Sequence, residues 1–234
     1  CIRDRSWTDN TFFAPESLLD EKGRRIMWAW LLDLAGINAR FDTGWSGVMS
    51  LPRVISLGRD RGAEGYLRIE VAAEIERLRY RPQHMYDLDV PADADLQVDG
   101  VRGDSLELSV EMDSADASEF GIKVCVSPNG EEQTIIAYSS EQGGLSVDTR
   151  QSAPSDSPKT IETAPFSLDE NERLRLRIFV DKSVIEVFAN DRQAVARRIY
   201  PARTDSLGVS LFAVGGSAKV HVLQAWQMSP SNPY

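Results

Sequence analysis

Among the side chains that could do chemistry here, the tryptophans carry more information than the carboxylates. The 234 residues include 36 Asp and Glu, so many pairs could serve as acid and base, and spacing alone selects none. Glu186, in the run SVIEVF (residues 183–188), stands out because its neighbours are apolar. Two readings apply to it. It is either a catalytic carboxylate or an outward-pointing hairpin residue paired across strands with the arginine stripe Arg173, Arg175 and Arg177; the cross-strand reading is preferred. Asp42, in Asp42-Thr43-Gly44, reads as a turn former. Trp28 and Trp30 alternate onto one face of a strand. Trp45 sits between glycines in GWSGVMSLPR (residues 44–53), a segment whose tryptophan no solvent-facing loop needs and whose proline no buried strand wants. An indole presents a flat apolar face, suited to the C–H surface of a sugar ring, and one N–H donor at its rim. For Trp28 and Trp226 core packing is the preferred reading; for Trp30 and Trp45 core packing and sugar contact stand level.

Other chemistries find no residues to carry them. A phosphate cradle of the Gly-x-Gly-x-x-Gly or Gly-Lys-Ser/Thr kind is absent, as is the Gly-x-Ser-x-Gly turn of a serine hydrolase. Cys1 and Cys125 make no disulfide framework, and Cys125, in the apolar run 122–126, reads as a buried free thiol. His84 and His221 share no metal-ligand spacing, so no metal site is expected. The formal net charge of −10 lacks the basic footprint of a nucleic-acid partner and suits a neutral substrate such as a sugar. No apolar run is long enough for a membrane-spanning helix.

The elements that must position these residues fall into three textures. Residues 1–69 hold short candidate strands at 11–14, 25–31, 48–50 and 66–69, punctuated by glycines and by the charged turn at 20–23; together they make one antiparallel sheet, the unit of a propeller blade. One blade cannot bury both faces by itself, and no second copy of the unit occurs. Over residues 70–79 the spacing of Val71, Ile75 and Leu78 predicts a short amphipathic helix, stopped by Pro82 and followed by a connector through Val90. From about Ala92 onward the period is two. Leu106, Leu108, Val110 and Met112 alternate with polar residues, as do Leu174, Leu176, Ile178 and Val180 with arginines. Turn signals such as Pro128-Asn129-Gly130, Gly143-Gly144 and Gly215-Gly216 recur between such runs. About ten strands with one wet face each predict an antiparallel sandwich of two sheets, with a loop at 152–158.

The sequence as a whole resembles glycoside hydrolase family 32, which includes invertases, inulinases and levanases. The resemblance is carried by TFFAP (11–15), GRRIMWAW (23–30), GWSGVMSLPR (44–53) and FVDKSVIEVFAND (179–191), in that order, with a helical stretch between the third and fourth. It implies an all-β chain: an antiparallel β-sandwich (85–234) preceded by one blade (1–69) of a five-bladed β-propeller and joined to it by a short helix in a linker (70–84). It also implies a retaining β-fructofuranosidase acting on sucrose or fructans without metal or organic cofactor. In such an enzyme one carboxylate attacks the anomeric carbon and another, roughly 5 Å away, protonates the leaving oxygen. The family carries these groups in Asn-Asp-Pro-Asn-Gly, Glu-Cys and Arg-Asp-Pro motifs, none of which occurs here. The expectation is therefore a chain whose missing blades hold the catalytic residues, inactive alone. What carries over is substrate contact. Trp30 matches the tryptophan of the family's Gly-Trp pair at the floor of the fructose site, with Ala29 in place of the glycine. Phe12, Phe13 and Trp45 would either line the rim or stand behind the residues that touch the sugar, and Asp9 is a further candidate. The rival readings are a non-catalytic fructan-binding sandwich, using Tyr138, Tyr200 or Trp226, and a structural module that braces the propeller or forms a homo-oligomer.

Overall fold

The computed structural model describes residues 12–33, 46–59, 65–152 and 159–232. The strands among them form three antiparallel sheets. In the first, β1 (Phe12–Leu19), β2 (Arg25–Leu31), β4 (Arg53–Gly58) and β5 (Tyr66–Val71) lie side by side in that order, and β3 (Val48–Met49) pairs with the end of β2. A six-residue 3-10 helix, Ala73–Leu78, leads into β6 (Arg79–Val90). The chain then runs through β7 (Ala94–Arg102), β8 (Ser105–Asp113), β9 (Glu119–Val126), β10 (Thr134–Ser139), β11 (Gly144–Asp148) and β12 (Ile161–Pro165). It ends with β13 (Leu174–Asp181), β14 (Val184–Ala189), β15 (Gln193–Arg198), β16 (Gly208–Val214) and β17 (Ala218–Met228). These make two six-stranded sheets, ordered β12-β11-β10-β9-β16-β7 and β15-β14-β13-β8-β17-β6.

The two six-stranded sheets face each other over one core. Leu106, Leu108, Val110 and Met112 of β8 and Leu174, Leu176, Ile178 and Val180 of β13 point inward as their alternation predicts. They meet Ile122, Ile136, Val147 and Leu211 of the opposite sheet. One side of this sandwich is closed by a buried ion pair, Arg197 of β15 to Glu162 of β12.

Two features of the sequence turn out to mean something else. The helix expected over 70–79 shrinks to the 3-10 segment, because residues 70 and 71 complete β5 and Arg79 opens β6. The helical spacing of Val71 and Ile75 arises because both reach the same apolar cluster, one from a strand and one from the turn after it. Pro82 stops no helix, and the expected connector through Val90 is strand. β6 lies at a sheet edge, where a missing N–H removes no ladder bond. The register with β17 slips between Ala225 and Gln227, and Arg81 nearby takes a positive φ of 49°.

The expected wet face is also missing where it matters most. Every residue of β14 and β15 is buried. Ile185, Val187, Ala189 and Val195 belong to the sandwich core, while their neighbours on the outer face pack under the first sheet. Val184 and Ala196 join Phe12, Met27, Ala29, Leu31 and Ile55 in one cluster. Phe179, Phe188 and Ala194 join Ile69 and Val71 in another. A strand buried on both faces reads as a near-continuous apolar run, which is what VIEVFA is apart from its glutamate.

Candidate functional site

The first sheet has one face against the sandwich and one face open. Cross-strand register sorts its residues between the two. Phe12 opposite Leu31 and Met27 opposite Arg53 point to the sandwich. Phe13 opposite Trp30, Glu16 opposite Trp28, and Trp30 opposite Met49 point away. On that open side Phe13 is 42% exposed, Leu18 50%, Trp30 38% and Met49 64%. Trp28 is half-buried there. Large apolar side chains gathered on an exposed face mark a surface built to meet something.

Trp30 is fixed at the centre of this face. Its ring meets that of Phe13 edge to face, with centroids 6.3 Å apart, in the range that aromatic pairs prefer. Its indole N–H donates to the carbonyl of Ser46 at 3.2 Å. The N–H expected to serve as a sugar donor is thus already used, and the ring surface is what Trp30 presents. Gly47 makes this closeness possible. With φ +74°, it would place a Cβ 1.9 Å from the Trp30 Nε1 and 2.6 Å from the Leu31 carbonyl oxygen, which no side chain can occupy.

The segment that follows is anchored from the sandwich. Glu186 is 2% exposed and Arg53 1%. The Arg53 Nη2 donates to Glu186 Oε2 at 2.8 Å, and the Leu51 N–H donates to Glu186 Oε1 at 2.6 Å. The guanidinium also lies 4.1 Å from the centroid of the Phe12 ring and 5.2 Å from that of Phe188. Glu186 is therefore neither exposed nor paired with the stripe on β13, as its sequence context suggested. There Arg177 donates to Glu107 at 2.5 Å and Arg173 to Glu111 at 2.5 Å. The true partner of Glu186 lies 133 residues away, beyond the reach of any local pattern.

Of the five residues singled out for substrate contact, the structure brings two together. Trp30 and Phe13 form a pair on the open face. Phe12, 3% exposed, faces the sandwich and serves packing, since adjacent strand residues point to opposite sides. Asp9 and Trp45 lie outside the described residues, as does Asp42. Sequence reasoning missed Met49, which extends the apolar surface beyond Trp30, although its alternation with Val48 was visible. The open face also carries Glu16 and Glu70. They sit on β1 and β5, three inter-strand steps or about 14 Å apart, too far to act as the two carboxylates of a glycosidase.

The aromatics proposed for the rival binding surface are occupied within the fold. Tyr138 packs edge to face between Phe120 and Phe166. The Tyr200 hydroxyl donates to Asp33 at 2.7 Å, and Trp226 lies under the Arg79 guanidinium at 4.1 Å. Cys125 is buried as expected, and loss of solvent pushes its thiol up to about 12, so it supplies no thiolate at neutral pH.

Comparison with known proteins decides the family. Residues 74–227 match the model for the C-terminal part of glycosyl hydrolases family 32, and residues 3–67 match the model for that family's N-terminal domain. The chain belongs to glycosyl hydrolase family 32. Among family 32 relatives, it is similar to the levanase of Bacillus subtilis (strain 168), with 31% identity over 93% of this chain and 33% of the levanase. It is also similar to the raffinose invertase of Escherichia coli, with 30% identity over 93% of this chain and 42% of that protein, and to the acid beta-fructofuranosidase of Vicia faba, 27% identical over 95% and 41%. The crystal structure of fructan 1-exohydrolase IIa from Cichorium intybus shares the fold, with a TM-score of 0.84 and 21% identity over 95% of this chain and 49% of that one. The chain thus spans between a third and a half of the length of these family 32 relatives.

Proposed function

We propose that residues 12–71 are one wall of the sugar cavity of a β-fructofuranosidase, a blade of its propeller, and that the sandwich beside them braces that wall. The reaction is the retaining hydrolysis of terminal β-fructofuranosyl bonds in sucrose or fructans. One carboxylate attacks the anomeric carbon to give a covalent glycosyl-enzyme, a second protonates the departing oxygen, and water then reverses the first step. In this reading the chain supplies aromatic surface, through Trp30 and Phe13, and the reacting carboxylates come from polypeptide outside these residues. The observation that carries it is the Trp30–Phe13 pair, held edge to face on an open sheet face with the indole locked by Ser46. The kinship with a levanase, an invertase and a β-fructofuranosidase supports the choice of fructosides, as does the absence of the three carboxylate motifs for the placement of the chemistry elsewhere.

Two measurements on the purified chain test this. Incubated with sucrose or inulin, it is expected to release no more fructose than an unrelated control protein; release above that level would defeat the assignment of the reacting groups. In a chain labelled with 15N-tryptophan, the Trp30 indole signal, identified by its loss in Trp30→Phe, is expected to shift on adding fructose and not on adding a sugar-free osmolyte. A signal indifferent to fructose at high concentration would remove the wall.

A further inference from the structure

We propose that Glu186, a residue of the sandwich, is the positioning residue for this aromatic wall; the inference rests on the reading of residues 12–71 as that wall. Its two carboxylate oxygens both serve the first sheet. Oε1 accepts the Leu51 N–H and Oε2 accepts Arg53 Nη2, although Glu186 sits between Phe179 and Ala196 in its own sheet.

From that carboxylate two short chains of contact reach the exposed aromatics. The first is polar. Leu51 follows Ser50, whose N–H donates to the Ala29 carbonyl at 2.9 Å and whose hydroxyl oxygen accepts the Ala29 N–H at 3.0 Å. Ala29 lies directly between Trp28 and Trp30, so fixing residue 51 fixes the backbone from which both indoles project. The same segment begins with Ser46 and Gly47, which hold the Trp30 ring. The second chain is a cation–π stack. Arg53, aligned by Glu186, lies over the Phe12 ring, and Phe12 precedes Phe13, the cross-strand neighbour of Trp30. One carboxylate therefore sets the placement of both strands whose side chains meet on the open face.

A buried ion pair adds little net stability over apolar packing of equal volume. What it adds at this junction is direction, because a carboxylate accepts only along its lone pairs and a guanidinium donates only in its plane. An apolar pair at 53 and 186 would still bind the sheets together while letting residues 46–53 slide. The prediction follows that Glu186 affects the geometry at Trp30 beyond its effect on stability.

The test uses the Trp30 indole signal and the exchange rate of its hydrogen-bonded proton. Glu186→Gln keeps the shape and one acceptor but drops the charge facing Arg53. It is expected to move the Trp30 signal and to speed exchange about tenfold or more, the factor set by weakening one charge-assisted contact. Glu107→Gln is the control. Glu107 is equally buried and lies in the same sheet, where it accepts from Arg79 and Arg177, and its replacement is expected to leave the Trp30 signal in place. A folded Glu186→Gln protein with an unmoved Trp30 signal overturns the proposal, and so does an equal movement in Glu107→Gln. If Glu186→Gln does not fold, the double variant Arg53→Met with Glu186→Leu removes both charges and keeps the packing. Folded with a moved Trp30 signal it supports the proposal, and folded with an unmoved one it refutes it. The response to fructose is read separately on the unmodified chain. A Trp30 signal sensitive to residue 186 but blind to fructose would sink the sugar wall and leave the positioning role standing.

Discussion

β1 and β14 are both rich in apolar residues, and they end in opposite states. Every residue of VIEVFA is buried in β14, whereas in β1, FFAPESLL, only Phe12 is. The difference lies in what stands on either side. β14 has the sandwich core on one face and the first sheet on the other, while β1 is an edge strand of a sheet with one face covered. Apolar surface that the fold leaves open at Phe13, Leu18, Trp30 and Met49 is surface that the fold itself does not use, and this is why it reads as a site. The first sheet borrows half its core, since Val184, Ala196, Phe179, Phe188 and Ala194 of the sandwich complete its two clusters. Among the described residues, the first sheet contributes none to the central core of the sandwich.

The largest effect expected from this asymmetry is on folding in isolation. Residues 79–232 alone are expected to keep far-UV circular dichroism of a β protein and a cooperative urea transition. Residues 1–78 alone are expected to show neither. A cut at residue 85 instead of 79 should weaken the sandwich, because Arg79, Tyr80, Gln83 and His84 all pair with β17. Within the sandwich, Leu108→Ala empties a fully buried position and should cost about 2–5 kcal/mol. Limited proteolysis of the whole chain is expected to remove the first sheet before it nicks the second or third. Equal resistance of both regions, or a cooperative transition in residues 1–78, would show that the first sheet does not depend on its neighbour.

A smaller and more local effect is expected at Gly47. Gly23 and Gly47 have the same φ of +74°, but a Cβ at Gly23 meets nothing within 4 Å whereas one at Gly47 strikes the Trp30 indole. Gly23→Ala therefore measures conformational strain alone, roughly 1–2 kcal/mol. Gly47→Ala adds displacement of the ring and loss of its bond to Ser46. The Trp30 indole signal should move in Gly47→Ala and stay in Gly23→Ala, with the urea midpoint of the sandwich unchanged in both. Movement in both variants would mean that the whole sheet responds as one body, and the ring would then not owe its placement to the glycine.

How much of this was legible follows from the range of each interaction. The alternation in 105–112 and 173–180 announced the sandwich, because a period of two is a local property of a half-buried strand. The shared face of Trp28 and Trp30 was legible for the same reason. Which of Phe12 and Phe13 faced outward was not, since two adjacent aromatics always take opposite sides and the sequence does not say which side is covered. The spacing of Val71 and Ile75 imitated a helix because a strand end and a 3-10 turn happened to serve one cluster. Glu186 was conspicuous as a lone charge in an apolar run, yet its partner Arg53 is set by the packing of one sheet on another, which no local pattern encodes. The second burial of β14 was written only as the scarcity of polar residues in VIEVFA, and that of β15, QAVARR, was not legible in its composition at all.

The smallest expected effect tests a surface contact within the first region, between the β1–β2 turn and the 3-10 segment that leads into the sandwich. Glu74, in the 3-10 segment, accepts from Arg24 and Lys22 in the turn between β1 and β2. The hydrogen bonds from Arg24 hold its carboxyl at about 2, below the ordinary value of 4.5. A carboxylate whose value is depressed on folding adds stability that is present above the unfolded value and is lost as pH falls toward the folded one. Exposed pairs of this kind are screened by water and salt, so only a slight change is expected. It should appear as a difference between the unmodified chain and Glu74→Gln in amide protection of the β1–β2 hairpin. That difference should be full at pH 7, shrink between pH 4.5 and 2, and vanish in high salt. Taking the difference cancels the other carboxylates, which titrate alike in both proteins. A difference that persisted below pH 2 would assign the contact to shape and not charge, and the charge on Glu74 would then have no part in holding the hairpin against the 3-10 segment.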